Sequence, residues 1–159
     1  MAIKNNVTRM LESQKVSFAV FEIPPDKHSA LEVCDHLSVA PEIVFKTIVF
    51  RREKGGKPIL AVVPASGNVN PKALACALGE KKVKVTTRSE AEKITGLLAG
   101  GISPLALINK GFDVVLDSSA LEQPHILVSG GKRGMQIQIA AIDLVRITQA
   151  RTASITSQN

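Results

Sequence analysis

The sequence predicts an α/β fold built on a mixed sheet, and three observations carry the prediction. Short amphipathic segments with helix-capping residues alternate along the chain with segments rich in Val, Ile and Phe. Two β segments, residues 45–51 and 59–63, are separated only by a turn at Lys54-Gly55-Gly56-Lys57, so they form a hairpin. Other strands are separated by helices and need crossover connections, so parallel and antiparallel pairs share the sheet.

Taken in order, Val7, Met10 and Leu11 mark one face of a helix over 7–15. Residues 16–23 alternate in the β manner and stop at Pro24-Pro25-Asp26. Ser29 caps a helix over Ala30–Leu37, and Glu32 three residues on completes a capping box. Pro41 opens one further helical turn before the hairpin. Asn70-Pro71 then opens a helix over 72–78 that Gly79 closes, the Pro-first, Gly-last order expected of a helix. A short strand over 83–87 precedes a helix to Thr95, for which Ser89 and Glu92 have the spacing of a second capping box. Residues 96–110 contain Gly96, Gly100, Gly101 and Pro104, too many breakers for a regular element. Strands are expected over 112–116, 125–129 and 135–140, and a last helix over 142–148. Residues 1–150 read as a single domain, and the polar tail 151–159 is expected to be disordered.

With 159 residues, folding buries roughly 68–70% of the surface that the unfolded chain exposes, so neither a metal nor a disulfide is needed for stability. Apolar residues at 45% and charged residues at 21% exclude wholesale disorder. Twenty Lys+Arg against fourteen Asp+Glu leave +6, which suits a polyanionic partner. Aromatic residues are only 3%, five Phe with no Trp or Tyr, which argues against binding single strands by stacking bases. The N-terminus has no apolar leader pattern, and no apolar run is long and unbroken enough to span a bilayer, so a cytoplasmic protein is expected. Cys34 and Cys76 both sit in apolar helical patterns and are expected to act as small hydrophobes.

Three segments are candidates for chemistry. Lys46 is a lone cation inside the apolar strand Ile43-Val44-Phe45-Lys46-Thr47-Ile48. Either its stem packs while the ammonium reaches water, or the ammonium is held at a pocket to contact an anion or a carbonyl. Gly100-Gly101-Ile102-Ser103-Pro104 is either a loop using Gly and Pro as breakers or a backbone nest whose N–H groups donate to a ligand oxygen. Ser129-Gly130-Gly131-Lys132-Arg133-Gly134 is either a plain hairpin connection or a phosphodiester contact with a hydroxyl and two cations; it lacks the spacing of a Walker A loop. His28, His36 and His125 have no metal-ligand spacing, and Cys34 with His36 does not make a nucleophile–base pair on one helix face. No metal and no cofactor are expected.

Taken together, Phe45-Lys46-Thr47, Thr95-Gly96, the Gly100–Pro104 loop and the Ser129–Gly134 turn resemble the YbaK/EbsC family of aminoacyl-tRNA deacylases, which includes the editing domain inserted in bacterial prolyl-tRNA synthetases. The resemblance runs from about Val7 to Ile147, with the motifs in order. It implies a curved, barrel-like mixed sheet with surrounding helices, with the pocket between the lysine-bearing strand and the glycine loop. It also implies hydrolysis of the ester joining a wrong amino acid to tRNA. The family's lysine falls on Lys46 and its loop on Gly100, Gly101, Ile102, Ser103 and Pro104. Its pocket threonine and serine fall on Thr47 and Ser129, beside Gly130, Gly131 and Gln136.

The nearest likeness is to free-standing Cys-tRNA(Pro) deacylases, which implies the acceptor end of tRNA(Pro) as ligand and prolyl-tRNA synthetase as a partner. Two positions depart from that subgroup. Its tyrosine near the end of the first strand is absent, the chain having Val20-Phe21-Glu22-Ile23, and its aspartate after the Gly-rich turn is replaced by Gln136. The amino acid removed is then cysteine or another small residue such as alanine or serine. A non-catalytic tRNA- or synthetase-binding module of the same fold is the rival reading.

Overall fold

The computed structural model describes residues 4–158. Met1–Ile3, the start of the segment read for a leader, and Asn159 at the end of the tail lie outside the described residues. The elements in order are α1 (Asn6–Ser13), β1 (Phe18–Glu22), α2 (Ala30–Leu37), β2 (Phe45–Arg52), β3 (Ile59–Pro64) and β4 (Gly67–Val69). There follow α3 (Pro71–Leu78), β5 (Val83–Val85), α4 (Arg88–Thr95), β6 (Asp113–Asp117) and a 3₁₀ turn over Ser118–Glu122. The chain ends with β7 (Ile126–Ser129), β8 (Met135–Ile139), α5 (Ala141–Thr148), β9 (Arg151–Ala153) and β10 (Thr156–Gln158).

The main sheet has the order β5-β2-β3-β6-β9. The expected hairpin is its centre: β2 and β3 pair antiparallel from Phe45↔Pro64 to Phe50↔Ile59. β6 and β9 extend it in parallel, so the sheet is mixed. Every residue of β3 is buried. Its Leu60 and Val62 pack with α1 and α5, while Ile59, Ala61 and Val63 pack with α3 on the other face. A strand covered on both sides carries an unbroken apolar run, which is why Ile59-Leu60-Ala61-Val62-Val63 has no polar alternation.

A second, antiparallel sheet has the order β1-β8-β7. It meets the first at one parallel bridge, Val44↔Leu127, with Leu127 N–H donating to Ile43 O at 2.9 Å. The barrel-like closure implied by the resemblance is therefore not present. Beyond that bridge β2 and β7 are not hydrogen-bonded, and the sheets separate.

Capping chemistry defines most helix ends. Asn5, Ser29 and Thr87 each make a capping box, and Asn70 Oδ1 accepts from Lys72 and Ala73 N–H ahead of Pro71. In α4 the cap is Thr87 with Glu90, not Ser89 with Glu92. Both pairs have the right spacing, and starting the helix two residues earlier leaves the Glu92 carboxylate free for another partner. Pro41 begins a single turn and no helix. Cys34 is buried as expected, but Cys76 is exposed, because α3 buries Leu74, Ala75 and Leu78 and turns Cys76 outward.

The tail departs from expectation. β9 lies beside β6, and β10 pairs with β4, a short strand that the sequence reading did not anticipate. Ile155 between them is fully buried in the cluster under α3, and its N–H donates to Asp117 Oδ1 at 2.9 Å. One apolar residue in a polar run has no periodicity, so the docking left no mark in the sequence.

Candidate active site

The separation of the two sheets makes the site. The chain pairs with β7 at Val44, just before β2, and this edge resumes pairing at Val49 O, which accepts from Thr86 N–H at 3.0 Å. Between those points the edge is open, and a cavity of about 420 Å³ lies against it. That volume is in the range of small-molecule sites. Lys46 and Thr47 of β2, Ser129 of β7, Gln136 of β8, and Gly100 and Ile102 of the loop after α4 all line it. These six come from separate parts of the sequence and are brought together by the fold.

Lys46 is half-buried, and its ammonium makes no hydrogen bond or ion pair with any described residue. Burial pushes its pKa below the usual lysine value of 10.5. An unpaired, partly desolvated cation in a cavity is poised for a carbonyl or an anion. Gln136 is buried, and its Oε1 has no partner among the described residues, so a polar acceptor also faces unmet demand. The Ser129 hydroxyl accepts from Gly131 N–H at 3.3 Å, tying the lining to the turn behind it.

The loop donors are Gly100 and Ile102. Neither N–H has a partner among the described residues, whereas Gly101 N–H is spent on Leu98 O at 2.8 Å. Gly100 has φ +88° and lies under the His28 imidazole, so a Cβ there would sit 2.6 Å from both Cβ and Cγ of His28. Gly101, Ser103, Pro104, Gly130 and Gly131 are outside the lining. Ser103 is fully buried and its Oγ accepts from Leu105 N–H at 3.1 Å, which folds the loop back on itself. Gly130 closes the β7–β8 hairpin through its N–H to Met135 O at 2.9 Å.

Gly101 supports the loop from behind. A Cβ there would lie 2.9 Å from Lys132 Cα and 3.1 Å from Lys132 C, backbone atoms that do not swing aside. Gly101→Ala is therefore expected to destabilise the protein by about 1–3 kcal/mol as the two loops part. Thermal melting checks this. An unchanged melt with lost turnover would instead give Gly101 a direct part in the chemistry.

His28 and Arg88 also line the cavity, and neither stood out in the sequence. A start of α4 at Thr87 puts Arg88 in its first turn, and the spacing of His28 to the other histidines carries no signal for the cavity. The lining contains two basic side chains, Lys46 and Arg88, and no carboxylate. Among the described residues no three His, Cys, Asp or Glu side chains converge to hold a metal. Cys34 lies outside the lining, and burial pushes its thiol pKa up, which makes it a poor nucleophile.

The cavity thus brings two basic side chains to backbone N–H groups that have no partner among the described residues. The chain belongs to the aminoacyl-tRNA editing domain family, whose pattern matches residues 24–147. It is 36% identical over 157 residues, 98% of this chain and 94% of the other, to EbsC of Enterococcus faecalis, assigned as a Cys-tRNA(Pro)/Cys-tRNA(Cys) deacylase. Proline–tRNA ligase of Desulforamulus reducens is 28% identical over 125 residues, 79% of this chain but only 20% of the ligase. Among solved structures, hypothetical protein APE2540 superimposes with a TM-score of 0.88 at 20% identity, covering 96% of this chain and all of the other. A protein assigned as a trans-editing enzyme for prolyl tRNA synthetase gives 0.81 at 22% identity, covering 98% and 99%. At these identities the structural likeness is one of fold. No described helix is long and apolar enough to cross a membrane.

Proposed function

We propose that this protein is a trans-acting deacylase that hydrolyses the ester of mischarged tRNA, with Cys-tRNA(Pro) its first substrate. The observation that carries the reading is that Lys46, whose ammonium has no partner among the described residues, lines the same cavity as Gly100 and Ile102, whose N–H groups have none either. An aminoacyl ester is already reactive, so the protein needs to orient it and stabilise the oxyanion. Backbone donors aimed at a developing oxyanion are worth several kcal/mol in acyl transfer, about 2.7–4 for one donor. Lys46 holds the ester carbonyl or the phosphate of the terminal adenosine, fixing the bond for attack. Water attacks the carbonyl and the ribose oxygen leaves as the terminal hydroxyl, or the substrate's own thiol attacks first, expels that oxygen, and the thioester formed is then hydrolysed. The lining offers no activated side-chain nucleophile.

The +6 charge steers the acceptor end of the tRNA to the cavity, in cytosol where prolyl-tRNA synthetase releases the mischarged product. Gln136 in place of an acid, with no tyrosine in the chain, leaves a less negative pocket suited to small side chains. One methylene discriminates by only about 1–3 kcal/mol, so alanine and serine esters should follow cysteine. The test is incubation of the purified protein with Cys-, Ala-, Ser- and Pro-tRNA(Pro), each with and without EDTA. Release of cysteine first, little action on Pro-tRNA(Pro) and no effect of EDTA are expected. Binding of all four without hydrolysis would mean a non-catalytic module, and cleavage of Pro-tRNA(Pro) alone would overturn the specificity.

A further inference from the structure

Ala99, the residue before Gly100, is held at both of its backbone polar atoms by side chains from two other elements. Its N–H donates to Glu92 Oε2 of α4 at 2.7 Å. Its carbonyl accepts from Arg133 Nε, in the β7–β8 turn, at 2.7 Å. These are short, charge-assisted bonds, the strong kind for either partner. Neither residue lines the cavity. Glu92 is not used by the α4 cap, which takes Thr87 and Glu90, and its Oε2 also lies 3.7 Å from Arg88 Nε in a partly exposed i,i+4 pair. Arg133 thereby ties its Nε to the loop.

The consequence follows from peptide geometry. The carbonyl of Ala99 and the N–H of Gly100 belong to one planar trans unit, so they point in opposite directions. Gripping the carbonyl from the Arg133 side sets the direction of the Gly100 N–H, and that N–H has no partner among the described residues. Gly100 itself, with φ +88°, offers little intrinsic resistance to rotation about this peptide. Something outside the loop has to hold it.

We infer that Glu92 and Arg133 are positioning residues that clamp the Ala99 peptide atoms and so aim the Gly100 N–H at the ester carbonyl. The inference rests on the proposed deacylation for its kinetic part only. Glu92→Ala and Arg133→Met should lower kcat by about tenfold to a hundredfold, the size of effect that a misplaced donor produces, with KM within about threefold. Glu92→Gln keeps an oxygen acceptor for the Ala99 N–H and should recover to within about threefold of wild type. A purely electrostatic role predicts otherwise: removing a negative charge near a tRNA site would lower KM, and Ala and Gln would behave alike.

The experiment measures steady-state deacylation of Cys-tRNA(Pro) by wild type and the three variants, alongside amide hydrogen exchange at Ala99 and Gly100 by NMR. Faster exchange at Ala99 in Glu92→Ala but not in Glu92→Gln, with the kcat loss above, supports the clamp. Equal kinetics for Glu92→Ala and Glu92→Gln, a change confined to KM, or unaltered exchange at Ala99 would overturn it. A wild-type protein that hydrolyses none of the esters overturns the proposed function instead, and the exchange data still decide whether the clamp exists.

Discussion

Lys46→Met is expected to slow deacylation at least about a hundredfold and yet raise the melting temperature, because the residue that the chemistry needs is one the fold tolerates at a cost. The ammonium is half-buried, pairs with no described residue and titrates below the normal lysine range because of its burial. A thioether of similar length fills the same space without that desolvation. The sign can be followed with pH. Between the lowered folded value and 10.5, the unfolded chain keeps a proton that the folded chain has released. Stability from this group therefore rises with pH across that window, and below it the full penalty is present. The melting advantage of Lys46→Met should be widest near neutral pH and shrink as pH approaches 10.5. The ratio of enzymatic to spontaneous ester hydrolysis in wild type should fall through the same window as the ammonium is lost. A variant within about threefold of wild-type turnover, under ~1 kcal/mol of barrier, would remove Lys46 from the mechanism. A variant that melts lower would show that its stem, and not its charge, governs stability.

Much of this site was legible because its parts are local. A cation in an apolar strand, paired glycines before a proline, and a glycine-rich hairpin turn each stand out in a few consecutive residues, and their order carried the family resemblance. The hairpin of β2 and β3 and the Ser29 and Asn70 caps were legible for the same reason: the determinants lie within about four residues of one another. What was not legible depends on distant pairing. His28 acquires meaning only once it stands over Gly100, and Gly101 is seen to be a packing glycine only when the Lys132 backbone lies against it. The α4 cap was ambiguous because Thr87–Glu90 and Ser89–Glu92 satisfy the same local rule. The tertiary bond from Ala99 N–H to Glu92 favours the earlier start.

Asp117→Ala is expected to cost on the order of 3 kcal/mol and to undock the C-terminal strands, although the residue lies outside the cavity. Asp117 ends β6 and is buried, with only 4% of its surface exposed. Burial alone would push its carboxyl up, but the Ser119 hydroxyl at 2.5 Å and the Ile155 N–H at 2.9 Å donate to it and bring it below the usual aspartate value of 3.8. The bond from Ile155 also holds the tail, because Ile155 is the buried point between β9 and β10. Truncation leaves the Ile155 N–H buried without a partner and removes the reason for the chain to turn inward there. For a protein of this length the loss corresponds to a fall of about 6–12 °C in melting temperature. Since the folded carboxyl has the lower pKa, its contribution is complete above about pH 3.8 and disappears as pH falls through the folded value. The gap between wild type and variant should therefore hold steady from neutral pH down to mildly acidic conditions, then close at lower pH. Amide exchange at Ile155 should accelerate in step with the melt. If Asp117→Ala melts like wild type while Ile155 stays protected, burial of the Ile155 side chain alone is enough to dock the tail.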